Sequence, residues 1–265
     1  MADPALWTAA VLPAVLAVAV VGTVALDAAL SARAAGRTET ITGAVGVSLR
    51  EVARLLVGQR RSTTAADGVL WRAGVITLPV AGLLAALVLP LGFTSVADLA
   101  VGVVWFNAME ILAWAAVWMA GWGPNSAFSL IGGYRFIAQG LAYELPHMFA
   151  LITAATAAGT LRVGGIVAAQ SGLWFVVWMP VAFVVYLLSA MAMAFWGPFN
   201  APVGRDVAGG AAGELSGVDR LLFFGGRWLL LVVAGAMAVP LFLGGGSGPL
   251  LPAWLWTIVK TGAVL

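Results

Sequence analysis

Six long apolar stretches, separated by shorter polar segments, dominate the chain. They cover residues 1–30 (apolar from residue 5), 69–91, 99–120, 136–161, 173–196 and 221–243, and each is long enough to cross a bilayer, which takes about 20 residues of helix. A seventh apolar stretch, 251–265, is too short from Trp254 onward for a full crossing and predicts a partial span. Between the first two stretches lies a weaker helical pattern over 45–57. Val45, Leu49, Val52 and Leu56 share one face there, and Ser48, Arg50, Glu51 and Arg54 the other, which predicts an amphipathic helix lying at the membrane interface. The patterning therefore predicts an all-α polytopic membrane protein made of one integral membrane domain over 1–265. It has six full transmembrane helices plus a partial seventh, with a cytoplasmic amphipathic helix between helices 1 and 2 and a cytoplasmic loop at 197–220.

Composition strengthens this picture: 62% of the 265 residues are hydrophobic and only 9% charged, outside the usual range of soluble domains. The position of charge gives the topology. Seven arginines, from Arg33 to Arg72, lie between spans one and two or just inside two, Arg135 opens span four, and Arg205, Arg220 and Arg227 lie between spans five and six or just inside six. The alternate loops hold only Arg162. The first, third and fifth loops are thus expected on the cytoplasmic side and the N-terminus on the other. Asp3, rather than a basic run, precedes the first stretch, so it reads as a retained span and not as a signal peptide. The net charge of +2 is a product of this topology and points to no nucleic-acid partner. With no cysteine and one histidine, the chain lacks the ligands for an iron–sulfur cluster, an attached haem or a Cys/His zinc site. Any redox cofactor is expected on a partner.

The chemistry concentrates at 121–151. At 3.6 residues per turn Arg135, Gln139, Tyr143 and His147 fall at successive i, i+4 positions, with Glu144 beside them. This stripe in an otherwise apolar span marks a site, since hydrocarbon demands a partner, water or a proton for each ionisable group. Of the other acids within spans, Asp27 lies near the cytoplasmic end of span one, while Glu110, flanked by Asn107 and by Trp105, Trp114, Trp118 and Trp122, is expected to be protonated, hydrated or to face Arg135 or Glu144. Glu110, Glu144, His147 and Tyr143 form a candidate proton relay. The alternative is a set of interhelical hydrogen bonds of the kind common in helical bundles. Pro146 beside them removes a helix hydrogen bond and opens space for water. The tryptophans suit interfacial belts and packing.

The stretch G-W-G-P-N-S, followed by G-G-Y-R-F-I-A-Q-G-L-A-Y-E-L-P, resembles the signature of the membrane "heel" subunit of respiratory complex I, the one called H or 1 in NADH-quinone oxidoreductase. The R-x-x-A-Q-x-x-x-Y-E core from Arg135 to Glu144 is the specific part. Corroboration comes from 52–67, from E-L-S-G at 214–217, from P-L-F-L-G-G at 240–245 and from 248–260. The chain departs from the family at its first cytoplasmic loop, where only Arg37 of an expected arginine pair is kept. It also departs in the 197–216 loop, stripped of most acids, and at Arg227, where the pattern has an acid. The pattern's eighth span has no counterpart. A divergent paralogue is implied, related to the membrane subunit of membrane-bound [NiFe]-hydrogenases.

The resemblance implies a multi-pass protein of the bacterial plasma (inner) membrane. Its partners would be the iron–sulfur and quinone-reducing subunits of a peripheral arm, and other small and antiporter-like membrane subunits. Quinone would be the substrate at a shared site, and the iron–sulfur clusters would sit on partner subunits. It further implies Arg37, Arg135, Gln139, Asp206 and Glu214 at the quinone cavity or the arm interface. Three other readings stay open on sequence. One is a hydrogenase-type or ferredoxin-linked assembly, and another a structural anchor without pumping. The third, a stand-alone secondary transporter, has no inverted repeat in its favour.

Overall fold

The computed structural model describes residues 6–36, 41–91 and 95–265. Within them ten α-helices follow in order: α1 (Leu6–Ala34), α2 (Ile41–Val57), α3 (Gly68–Ala86), α4 (Gly102–Trp122), α5 (Ala127–Ala158), α6 (Val163–Ala169), α7 (Phe175–Trp178), α8 (Pro180–Met193), α9 (Gly217–Phe242) and α10 (Ala253–Val264). Among the described residues the only β feature is an isolated Pro90–Ser95 bridge. The chain is an all-α polytopic membrane protein. Among the described residues five helices are long and apolar enough to cross a membrane, and α5 with α6, bent by 61°, makes a sixth if the pair is one span.

Local chemistry sets the helix ends. The Asp67 carboxylate caps α3, accepting from the backbone N–H groups of Val69 and Leu70 at 3.1 and 3.0 Å. Gly159, in the left-handed conformation at φ 67°, closes α5. Pro180 opens α8 at a position where a missing N–H is harmless, and Met179 breaks the helix before it. α5 begins at Ala127, ahead of the apolar run at 136, because its first two turns are semi-polar yet packed. Its 32 residues extend about 48 Å at 1.5 Å per residue, longer than a hydrocarbon core of about 30 Å. α10, with 12 residues, reaches only about 18 Å.

α9 is the centre of the bundle: 72% of its apolar window is buried, against 17% for α1 at the periphery. α3, α5, α8 and α10 pack around it. Two large apolar clusters result among the described residues. One is built around Trp71, Phe136, Phe195 and Phe223, and the other around Phe106, Leu151, Tyr186 and Phe242.

The loops sort into two ends. At one, the Asp67 amide donates to the Gly123 carbonyl, the Thr63 hydroxyl to the Pro124 carbonyl, Ser126 to Glu214, and the Arg61 amide to Ser216. Segments from the first, third and fifth loops, the basic ones, thus interlock. At the other end Arg162 pairs with Asp98 at 2.6 Å, joining the α5–α6 and α3–α4 loops. α2 lies against α1 and α9 through Val45, Val52 and Leu55. Leu49 and Leu56, grouped with Val45 by periodicity, are instead 52% and 57% exposed. The helix seats itself by one edge of its apolar face and leaves the other edge facing out.

Candidate functional site

Glycine brings α4 and α5 close. A side chain at Gly121 would collide with Ser129 and Gly133, and one at Gly140 would come within 2.6 Å of the Trp114 ring. The antiparallel register this fixes puts Trp114 opposite Gly140 and the next turns, with Glu110, opposite Tyr143 and His147. Trp114 lies across the α5 backbone, and its indole N–H donates to the Tyr143 hydroxyl at 2.7 Å.

The register assembles a buried polar layer. Glu110 Oε2 lies 3.3 Å from His147 Nε2, both side chains being almost wholly buried. On the far side of the ring Nδ1 is 2.7 Å from the Ser189 hydroxyl. Ser189 also directs its single proton at the carbonyl oxygens of Val185 and Tyr186, both at 2.9 Å, so its oxygen is left to accept from Nδ1–H. Nε2 then faces Glu110, and one proton between them serves either a carboxylic acid with a neutral imidazole or a carboxylate with an imidazolium. Tyr143 neighbours the same carboxyl. Glu144, within electrostatic reach of Glu110, accepts from the Asn107 amide at 2.9 Å. Several atoms of this layer are buried with no completed hydrogen bond: both oxygens of Glu110, Nε2 of His147, Oε2 of Glu144 and Oδ1 of Asn107. Polar atoms in such a state call for water. Pro146 cannot donate to the Ala142 carbonyl, and both residues line a groove of about 310 Å³ between α5 and α8 that reaches Tyr143 and Ser189.

The remaining predicted residues fall elsewhere. Arg135 does not face Glu110. It sits at the level of Trp118, two turns away, and pairs with Asp206 at 2.6 Å while donating to the Ala201 carbonyl. Gly132 permits this, because any side chain there would overlap the Ala211 amide of the 197–216 loop. Gln139 donates to the Ala192 carbonyl at 2.7 Å, and Glu214 accepts from Ser126 at 2.8 Å. Arg37 lies outside the described residues. Sequence reasoning missed Ser189 and Tyr186. Their spacing of three on an otherwise apolar helix is the signal that one face of α8 meets a polar layer.

Two cavities lie near Arg227. One, of about 1090 Å³, is lined by Arg135, Arg205, Asp206, Arg220 and Arg227 among others. The other is an apolar slot of about 310 Å³ between α1, α8 and α9, containing Asp27. Trp196 and Trp228, with ring centroids 4.2 Å apart, line the slot, and the Arg227 guanidinium sits 4.0 Å over Trp196. Among the described residues no three His, Asp or Glu side chains gather for a metal ion.

Buried acids around one histidine, basic loops gathered at one end and an apolar slot between helices are set in a helical bundle of the polytopic membrane-protein class. The family model described as NADH dehydrogenase matches residues 7–265. The chain belongs to that family, whose curated members are the H subunits of NADH-quinone oxidoreductase, complex I. Among these relatives, the second H subunit of NADH-quinone oxidoreductase in Geobacter sulfurreducens is 41% identical over 167 residues, covering 63% of this chain and 51% of the relative. The H subunit of Carboxydothermus hydrogenoformans is 35% identical over 192 residues, covering 70% and 54%. The second H subunit of Cereibacter sphaeroides is 36% identical over 171 residues, covering 64% and 54%. The chain spans about half the length of the curated relatives it matches.

Proposed function

We propose that this chain is the membrane subunit of a complex I-like oxidoreductase, which docks a peripheral redox arm, lines part of a quinone site and relays protons through buried acids. The observation that carries the relay is the Glu110–His147 contact at 3.3 Å, with its unsatisfied oxygens and with Glu144 beside it. A shared proton between a carboxyl and an imidazole moves with little reorganisation, and a layer that needs water supplies its own conductor. Ser189 holds the imidazole in the tautomer that presents Nε2 to the acid.

Quinone reaches the protein from the membrane through the apolar slot between α1, α8 and α9, whose tryptophans suit an isoprenoid chain and whose Trp196 carries the Arg227 guanidinium on its ring. The arm rests on the basic end, on the exposed edge of α2 with Arg50 and Arg54 and on the 197–216 loop with Asp206. This end faces the cytoplasm and the N-terminus the opposite side of a bacterial plasma membrane, in keeping with the arginine distribution. The partners are the iron–sulfur and quinone-reducing subunits, which carry the clusters, and small and antiporter-like membrane subunits. Subunits copurified in mild detergent separate this reading from a hydrogenase-type assembly.

In membranes holding the assembled complex, Glu110→Gln and Glu144→Gln are each expected to abolish proton transfer coupled to quinone reduction, with the subunits still assembled. Wild-type pumping in both variants sinks the relay.

A further inference from the structure

The large cavity at the basic end has more positive charge than the protein neutralises. Arg135, Arg205, Arg220 and Arg227 line it against a single acid, Asp206, which Arg135 already holds at 2.6 Å. Arg205, Arg220 and Arg227 have no carboxylate within ion-pair distance among the described residues. Glu51 pairs with Arg54 and Asp219 with Arg60; Glu51 is within electrostatic reach of Arg220, and Asp27, which opens into the apolar slot, is within electrostatic reach of Arg227, but neither makes an ion pair there.

Arg227 is the strongest sign of a ligand. It is 8% exposed, in the most buried helix of the bundle. Its guanidinium is fixed by donation to the Phe195 carbonyl at 2.5 Å and the Ala194 carbonyl at 3.4 Å, and by the faces of Trp196 and Phe195. Those two carbonyls take two of its five N–H groups. The rest have no protein acceptor among the described residues, and the residue lines the cavity. Arg220, stacked on Phe224 at 4.9 Å, adds a second oriented guanidinium.

A planar carboxylate accepts one guanidinium fork well. Several forks arranged around a concave space suit a tetrahedral oxyanion. A volume of about 1090 Å³ exceeds a bare ion and fits a headgroup. The cavity opens at the end of the bundle where the basic loops gather, and basic pockets between helices on that side of a membrane meet anionic lipid. We propose that the Arg205–Arg220–Arg227 cavity binds a phosphate ester, supplied as the headgroup of an anionic phospholipid.

The test compares the wild-type chain, extracted with its partners into a phosphate-free sugar detergent, with an Arg205→Gln/Arg220→Gln variant, which spares the carbonyl-bound Arg227. Retained lipid is read by mass spectrometry, and binding is titrated in nanodiscs containing phosphatidylglycerol or only phosphatidylcholine. Wild type is expected to retain anionic phospholipid and to bind phosphatidylglycerol roughly tenfold more tightly than the variant, as for the loss of two phosphate-facing guanidiniums. Competition by millimolar inorganic phosphate that matches phosphatidylglycerol in effect assigns the site to free phosphate and overturns the lipid source. Equal lipid retention in wild type and variant, or occupation of the cavity by an acidic segment of a copurified subunit, overturns the proposal. Neither readout involves electron transfer or pumping, so the result is independent of the proton relay.

Discussion

Two polar clusters are buried in the same bundle, and they are built on opposite rules. Where α9 turns towards α10, Lys260 gives its ammonium to the carbonyl oxygens of Leu243, Gly245 and Ser247 at 2.7, 2.8 and 2.7 Å, under the face of Trp174. Gln170, nearby, is equally saturated. Its amide nitrogen donates to Ile166 and Pro240, and its oxygen accepts from the Phe175 and Gly244 backbones. The Glu110–His147 layer is just as dry by burial, yet leaves five side-chain atoms unsatisfied. Saturation marks polarity used to hold a loop in place. Its absence marks polarity held ready for something that is not protein.

The contrast breaks most visibly at Lys260. Lys260→Met strips the donor from three carbonyls at once, each charge-assisted bond being worth about 1.5–3 kcal/mol, and should destabilise the chain by roughly 3 kcal/mol or more. Unfolding in mixed micelles checks this, and a loss well under 1 kcal/mol would contradict the clamp. Ser189→Ala comes next. It leaves His147 Nδ1 without its acceptor, which costs about 1 kcal/mol. It should also change the pH profile of coupled proton transfer, because the imidazole is free to present either nitrogen, and Ser189→Thr should restore it. An unchanged profile would reduce Ser189 to packing. The smallest effect belongs to the exposed α2 pair, Arg54 with Glu51 at 2.5 Å. The Arg54 hydrogen bond holds the Glu51 carboxyl below its ordinary range. Its contribution is therefore present above the unfolded value and is lost as pH falls through the lower folded one. Screening by water makes that loss immeasurable in stability, so Arg54→Gln should leave unfolding unchanged while weakening retention of the soluble subunits. A stability change without one in retention would reverse the assignment of α2.

Much of this was legible in one dimension. The i, i+4 stripe from Arg135 to His147 is a property of a single helix, and Tyr143 and His147 do face the interior. Which groups meet across helices is a property of register. Gly121, Gly133 and Gly140 set the α4–α5 register by what they lack, and that is why Arg135 meets Asp206 rather than Glu110. Ser189 and Gln170 escaped notice because a neutral polar residue in an apolar run is locally unremarked. Its weight comes from the partner it finds. Leu49 and Leu56 show the converse, since periodicity groups an apolar face but cannot divide it between a protein neighbour and the outside.

The interlocked loops at the basic end bear on timing during synthesis. Ser216 holds the amide of Arg61, and Glu214 holds Ser126. The first and third loops are therefore made long before the residues that fasten them, and the ring they form closes only when the fifth loop has been translated. Until then the first and third loops are held to each other by the Asp67–Gly123 and Thr63–Pro124 hydrogen bonds, and α3 and α4 by their close approach at Gly74, where a side chain would collide with Ala116 and Ala120. A ribosome paused between α8 and α9 would hold a set of inserted helices with an open rim, and release of α9 would close the rim and install the centre of the bundle in the same event.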